Sequence, residues 1–347
     1  MTEPIKKVQV WDNLDYKKPN IYICKNFEIM MSNYYTEKQN INNLYKPNYS
    51  LSVITLINLS NQPENFILTC RYFGNYFKIQ NVGKEKKVFC EDFITTIVSR
   101  FSEKNDSVFY TGLKNGKLIK WEIKIKQNEN PLAKKNKNDI SSSFIVNELS
   151  HIYDHKSSIT AIEINNNKQI IATSSEDKFI HIRKIYDFEI LTVIDLTYCF
   201  GNSIISDNKF IFPSLIKISD LNCIYVLFYD FKSKNTFIRG YTLNGLFFAQ
   251  TENNEKAFYN NIVMSKDGNL IVGAYNMNII YKLNSFDLNI RDIEELEPKN
   301  ANIGTKWIEV DFASNTFIAL YEKNCIFKPI SKKFAEIDIE IPSNINI

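Results

Sequence analysis

From residue 51 almost to the C-terminus, short runs rich in β-branched and aromatic residues alternate with clusters of turn formers. Strand-like runs lie at 51–58 (LSVITLIN), 66–73 (FILTCRYF), 107–112 (SVFYTG), 117–125 (KLIKWEIKI), 159–164 (ITAIEI), 169–174 (QIIATS), 179–184 (FIHIRK) and 190–196 (ILTVIDL). They continue at 223–230, 236–243, 270–275, 279–284 and 316–321. Between them LKNGK, NNNK, SEDK, SDNK, TLNG and KDGN supply the residues that tight turns need. No stretch carries a 3.6-residue apolar period over a helix length. The pattern predicts an all-β fold.

The runs also have a longer period. Residues 159–196 contain four strands joined by three tight turns, and the same four-beat pattern recurs over 51–90, 93–149, 204–251, 258–293 and 305–341. A repeat of about 40 to 45 residues is that of a WD-type β-propeller blade. One such unit alone leaves an apolar face in water, so the units are expected to stack around a common axis and close without exposed sheet edges. The six complete units, with an N-terminal half-unit, predict a seven-bladed propeller whose first blade is incomplete. A single domain then spans 1–347. Residues 126–143 (KQNENPLAKKNKNDISSS) interrupt the second complete unit; being polar, basic and free of aromatics, they are expected to form a mobile insertion loop. Lys134, Lys135 and Lys137 in it are candidate contacts for a partner or lipid headgroup, set against a simple solvated insertion.

Composition narrows the function classes. Aromatic residues are 14% and hydrophobic residues 44% of the 347, enough for a large core. A net charge of +3 gives no basic face for nucleic acid, so no nucleic-acid partner is expected. The six cysteines are scattered without a C-x-x-C pair, and read as buried free thiols in a reducing compartment. The N-terminus lacks a signal-peptide apolar core, and no apolar run approaches the ~20 residues of a membrane span. The chain reads as cytoplasmic.

The unit at 155–183 carries the sharpest local resemblance. His155 precedes its first strand, Thr173 or Ser174 lies in the second, and Asp177 sits in the following turn. In WD-repeat proteins, which this unit resembles, these positions form a buried hydrogen-bond network ending on a third-strand Trp. Here Arg183 holds the Trp position, so an incomplete network is expected. Trp121 holds that position in the preceding unit, but with Asn115 where Asp is usual. The resemblance implies a structural role for His155, Thr173, Asp177 and Trp121, although the His155/Asp177 pair also invites a catalytic reading.

A wider resemblance rests on several segments in order: KVQVWDNL (7–14), NFILTCRYFGNYFKIQN (65–81), SVFYTGLKNGKLIKWEI (107–123) followed by the insertion, and DHKSSITAIEINNNKQIIATSSEDKFIHIRKI (154–185). FIRGYTLNGLFFAQTE (237–252), SKDGNLIVGAYNMNIIYKLNSFDL (265–288) and WIEVDFASNTFIALYEKNCIFKPI (307–330) complete the series. Together they resemble the C-terminal WD-repeat propeller of BEACH-domain proteins of the neurobeachin and lysosomal-trafficking-regulator kind. The resemblance implies a non-catalytic scaffold in vesicle, lysosome or autophagy traffic, docking protein partners and associating with endomembranes peripherally. That family carries a BEACH domain upstream of the propeller. The chain lacks it and opens on what looks like the third strand of a blade, which is expected of a fragment of a longer protein.

Chemistry-bearing motifs are missing: no phosphate-binding loop, nucleophile elbow, H-E-x-x-H or EF-hand pattern occurs. Neither an enzyme nor a cofactor is expected. The acidic run of Asp292, Glu294, Glu295 and Glu297 reads as a solvated loop. Three alternatives remain: a WD-repeat adaptor of an unrelated complex, a phosphoinositide-binding propeller and a propeller enzyme. The second depends on a paired Arg motif, whereas FIRGY offers Arg239 alone. The third needs convergent carboxylates or a Ser/His/Asp set.

Overall fold

A computed structural model of the chain describes residues 51–58, 65–71, 74–81, 84–99, 108–125, 144–197, 210–233, 235–251, 259–264, 270–274, 279–295, 307–311, 316–321 and 324–329, with the pairs 23–24, 27–28 and 33–34. Among these residues the extended structure is β throughout, and no helix is long and apolar enough to cross a membrane. Two short strands, β1 (Ile23–Cys24) and β2 (Phe27–Glu28), pair with each other. The first large sheet contains β3 (Asn33–Tyr34), β4 (Leu51–Asn58), β5 (Asn65–Arg71), β6 (Tyr76–Asn81) and β7 (Lys84–Phe89). The second contains β8 (Ile94–Ser99), β9 (Val108–Leu113), β10 (Lys117–Ile125) and β11 (Phe144–Tyr153). The third contains β12 (Ile159–Asn165), β13 (Ile170–Ser175), β14 (Phe179–Lys184) and β15 (Ile190–Asp195). The fourth contains β16 (Ile211–Ile218), β17 (Cys223–Asp230), β18 (Asn235–Thr242) and β19 (Phe247–Gln250). The fifth contains β20 (Tyr259–Met264), β21 (Leu270–Ala274), β22 (Ile279–Leu283) and β23 (Ile290–Glu295). The sixth contains β24 (Trp307–Asp311), β25 (Thr316–Tyr321) and β26 (Asn324–Pro329).

Within each large sheet the strands follow chain order and pair antiparallel, as short connections dictate. The first strands of successive sheets then sit beside one another, in the sequence β4, β8, β12, β16, β20, β24. This placement explains the hydrophobic pattern. β9 and β13 are buried at every residue and β17 and β18 at all but their ends, because a neighbouring sheet covers each face. Such strands read as continuous apolar runs and not as alternating ones. The fourth strand β15 is largely exposed, being an outer edge.

The repeat extends to its irregularities. The ladder between third and fourth strands slips by one residue at Lys120/Trp121, Ile182/Arg183, Gly240/Tyr241 and Lys282/Leu283. A bulge re-aims the side chain beside it, so Trp121, Arg183, Tyr241 and Leu283 are equivalent positions. First and second strands slip likewise at Ile94/Thr96, Ile159/Ala161 and Tyr259/Asn261.

The core is a series of layers between consecutive sheets. Phe77 meets Phe109 and Trp121 edge-on, with ring centroids 5.2 Å and 5.1 Å away, between sheets one and two. Each such aromatic pair adds about 0.5–1.5 kcal/mol beyond its burial. Tyr110 and Leu118 pack with Ile159, Ile171 and Phe188 between sheets two and three. Ile180 and Ile194 pack with Ile216, Val226 and Tyr241 in the next layer. Tyr225 and Ile238 pack with Tyr259, Val272 and Tyr281 in the one after. Polar ties cross the same layers. Tyr225 donates its hydroxyl to the Ser285 carbonyl at 2.9 Å and Tyr110 donates to that of Ile185 at 3.4 Å. Both acceptors lie in a third-to-fourth-strand turn of the following sheet. In each of these turns a buried residue, Phe188 (φ 61°) or Leu288 (φ 57°), takes the left-handed conformation.

The four-strand pattern predicted from sequence holds for sheets two to five. The first sheet has a fifth strand, because β3 pairs with the leading side of β4. The acidic run is corrected: Asp292, Glu294 and Glu295 belong to β23, paired opposite Lys282, Ile280 and Ile279, so the solvated-loop reading fails for them. Their alternation with Ile290 and Ile293 is that of an edge strand. Glu297, the segment 7–14 and the insertion 126–143 with Lys134, Lys135 and Lys137 lie outside the described residues. The insertion joins paired strand ends, since Ile125 is opposite Phe144.

Candidate functional site

The candidate site is built where the loop entering sheet three, Asp154 to Ser158, meets two turns. In the β9–β10 turn the Gly116 carbonyl accepts the N–H groups of both Asp154 and His155, each at 3.0 Å. Gly116 has φ +83°, and a Cβ there would lie 2.0 Å from the His155 carbonyl oxygen, so glycine is required. From the other side, the Asp177 carboxylate in the β13–β14 turn accepts the amides of Lys156 at 2.9 Å and Phe179 at 3.1 Å. Loop and turns are thereby locked before any side-chain chemistry begins.

The His155 side chain is wholly enclosed. Its Nδ1 lies 3.1 Å from each Asp177 oxygen, and its Nε2 lies 2.9 Å from Thr173 Oγ1. Thr173 in turn donates its hydroxyl to Asp154. Asp154 also accepts from His181 Nδ1 at 2.9 Å and from Arg183 Nε at 2.7 Å. Arg183 is anchored further by the Phe188 carbonyl at 2.7 Å. The two imidazoles stack, with centroids 4.1 Å apart and planes 11° from parallel.

Thr173 has one hydrogen and gives it to Asp154, so toward His155 it can only accept. Nδ1 faces only carboxylate oxygens. His155 is held between the two carboxylates, its Nδ1 on Asp177 and its Nε2 linked to Asp154 through Thr173. Burial alone raises the Asp177 carboxyl, but the hydrogen bond and charge of His155, with the Lys156 and Phe179 amides, outweigh it and bring it to about 2. Asp154 behaves alike: burial raises it, while His181, His155, Thr173 and Arg183 together hold it below the usual carboxylate range. The Arg183 guanidinium and both histidines face the two carboxylates, so neither carboxylate is buried without partners.

Thr173, His155 and Asp177 have the topology of a nucleophile, base and orienting carboxylate. The Thr173 hydroxyl, however, is already committed to Asp154. Thr173 is also only 1% exposed. Asp154, His155 and His181 bring donor atoms within 4.8 Å of one another, as a metal site would. An ion must lie in the plane of each imidazole, ~2.0–2.1 Å from its nitrogen. Nearly parallel stacked rings cannot meet that condition together.

The sequence-predicted residues fall as follows. His155, Thr173 and Asp177 join in one hydrogen-bonded chain, and of the two candidate hydroxyls Thr173 is the one used. Ser174 instead meets Thr160 at 2.9 Å. Trp121 Nε1 donates to Thr111 Oγ1 at 2.9 Å in sheet two. Asn115 there caps the Lys117 amide at 3.1 Å, as Asp177 caps Phe179, and its side-chain amide donates to Glu91 at 3.0 Å. Sequence reasoning missed Asp154, His181 and Gly116. The available signal was an acidic residue beside His155 combined with Arg183 at the Trp position. Arg239 is 6% exposed; its guanidinium lies over Phe237 at 5.1 Å, and Nε donates to Gln250 at 2.6 Å. It does not face solvent as a headgroup ligand must.

No family model matches the chain, and no curated protein matches it. Among solved structures it is similar to the computationally designed Ika8 protein, at 13% identity and a TM-score of 0.50, over 80% of this chain and 71% of that one. At that identity the likeness concerns the fold alone.

Proposed function

We propose that the chain is a β-propeller of WD-type blades, seven counting the N-terminal half-blade, serving as a non-catalytic protein-interaction scaffold. Our reading makes it the propeller part of a BEACH-type membrane-trafficking protein. The observation that carries it is the hydrogen-bonded chain His155–Thr173–Asp177 in one sheet, with Trp121–Thr111 at the equivalent strand positions of the preceding one. Each of these two sheets keeps part of the network that the WD resemblance implies. Recurrent bulges and the side-by-side first strands support the same reading.

A rigid stack of sheets presents loops at its ends, where recognition residues concentrate. The partners are proteins, including a BEACH domain upstream in the same polypeptide. Association with endomembranes is peripheral, from the cytoplasmic side. Long-read sequencing of the transcript upstream of Met1 tests this. An in-frame BEACH domain is the expected result. An in-frame stop before Met1 removes the trafficking assignment and leaves a WD-repeat adaptor.

A further inference from the structure

The sequence contains two Asn-Gly pairs, Asn115–Gly116 and Asn244–Gly245. They close the β9–β10 and β18–β19 hairpins with the same turn. The Gly116 amide donates to the Leu113 carbonyl at 3.1 Å, and the Gly245 amide to that of Thr242 at 2.9 Å. Both glycines are left-handed, with φ 83° and 89°, a conformation that Gly adopts without strain. The pair also carries chemistry. An amide nitrogen whose own residue has no side chain is unshielded, and can reach the carboxamide carbon of the asparagine before it.

Environment separates the two pairs. Asn115 Oδ1 accepts the Lys117 amide at 3.1 Å and its Nδ2 donates to Glu91 at 3.0 Å, so this carboxamide is held at both ends. Gly116 is buried beneath the loop entering sheet three, and a Cβ on it would lie 2.0 Å from the His155 carbonyl oxygen. Asn244 is exposed, and among the described residues its carboxamide has no hydrogen-bond partner. A Cβ on Gly245 would come no nearer to any atom than 3.5 Å, at Ile194. The second pair therefore has an unheld carboxamide and room for a ring.

We propose that Asn244 is a site of spontaneous deamidation, through a succinimide closed by the Gly245 nitrogen, and that the fold protects Asn115 from the same reaction. The Gly245 N–H gives its proton to solvent base, and the nitrogen bonds to Asn244 Cγ. The Cγ–Nδ2 bond breaks, and the side-chain nitrogen leaves as ammonia after taking one proton back from solvent. Water then opens the ring. Attack at Cγ gives aspartate, and attack at the backbone carbonyl carbon gives isoaspartate; nothing is oxidised or reduced. Either product adds a negative charge to the turn. Isoaspartate also routes the main chain through the side-chain carbons, which lengthens the turn by one bond. The bond from the Thr242 amide to the Leu246 carbonyl, 2.9 Å long, spans that turn, so β19 is loosened where it begins. The inference does not rest on the trafficking assignment.

Incubation of the folded whole chain in mildly alkaline buffer, followed by peptide mass spectrometry that separates aspartate from isoaspartate, tests it. The peptide holding Asn244 is expected to exchange NH for O about tenfold or more faster than the peptide holding Asn115, which must first release two hydrogen bonds. In urea, with both turns open, the two peptides are expected to convert at similar rates. Asn244→Gln, an exposed substitution whose longer side chain would need a larger ring, is expected to leave its peptide unchanged. The converted protein is expected to exchange the Thr242 amide hydrogen faster. An Asn244 that stays intact in the folded chain, or an Asn115 that converts as fast, would overturn the proposal. So would a rate difference that persists undiminished in urea, since it would belong to the local sequence and not to the fold.

Discussion

Replacing Asp154 by Ala removes one carboxylate that serves Thr173, His181 and Arg183 together. The Arg183 guanidinium then shares a buried space with His155 after losing its carboxylate partner. Breaking a buried ion pair by deleting one partner costs about 3–5 kcal/mol. His181 and Arg183 are each 15% exposed and can recruit water, which places the cost near the lower end, about 3 kcal/mol. Arg183→Trp alone costs about 1.5 kcal/mol, since it strands Asp154 without its guanidinium. The double variant is different. An indole at 183 can donate to Thr173 as Trp121 donates to Thr111, and the Thr173 hydroxyl, with Asp154 gone, is free to turn toward His155 Nε2 as a donor. The double variant is expected to lose only about 2 kcal/mol, a coupling of about 2.5 kcal/mol between the sites. Urea denaturation of the four proteins, followed by far-UV circular dichroism, measures it. Additivity within about 0.5 kcal/mol would refute the claim that Asp154 stands in for the missing tryptophan.

Acid is expected to weaken the fold through the same cluster. The folded-state value of Asp177, about 2, lies below its unfolded value, so its contribution is fully present above about pH 4 and is lost as pH falls toward 2. Asp154 acts in the same direction, and Asp177→Asn should flatten the pH dependence of the denaturation midpoint in that window. Tyr225→Phe removes an inter-sheet hydrogen bond of 2.9 Å and should cost about 1 kcal/mol, measurably more than Tyr110→Phe, whose bond is 3.4 Å long. Gly116→Ala forces a Cβ against the His155 carbonyl at positive φ and should cost about 3 kcal/mol or more, read as a fall in melting temperature and faster exchange at the Asp154 and His155 amides.

The repeat was legible because middle strands such as β13 and β17, buried on both faces, leave unbroken apolar runs such as QIIATS or CIYVLFYD with turn formers on either side. Outer strands were harder to read. β7 (KEKKVF) has little apolar signal because an edge strand needs none, and Asp292 to Glu295 looked like a loop for the same reason. At the site, His155, Asp177 and a hydroxyl at Thr173 or Ser174 were legible from the resemblance of the unit to a WD repeat. Asp154 and His181 were not, because Asp154 joins Thr173, His181 and Arg183 across the sheet and not along the chain. Gly116 was hidden more completely: it is one sheet earlier than the histidine whose backbone it receives.

A crystal structure of the whole chain at about 2 Å, where side-chain hydrogen bonds are directly placed, tests the central claim. The account expects a closed ring in which β24–β26 packs beside β4–β7 about a shared axis, with His155 bridging Thr173 and Asp177. An open stack of sheets, or a His155 turned away from both partners, would contradict it.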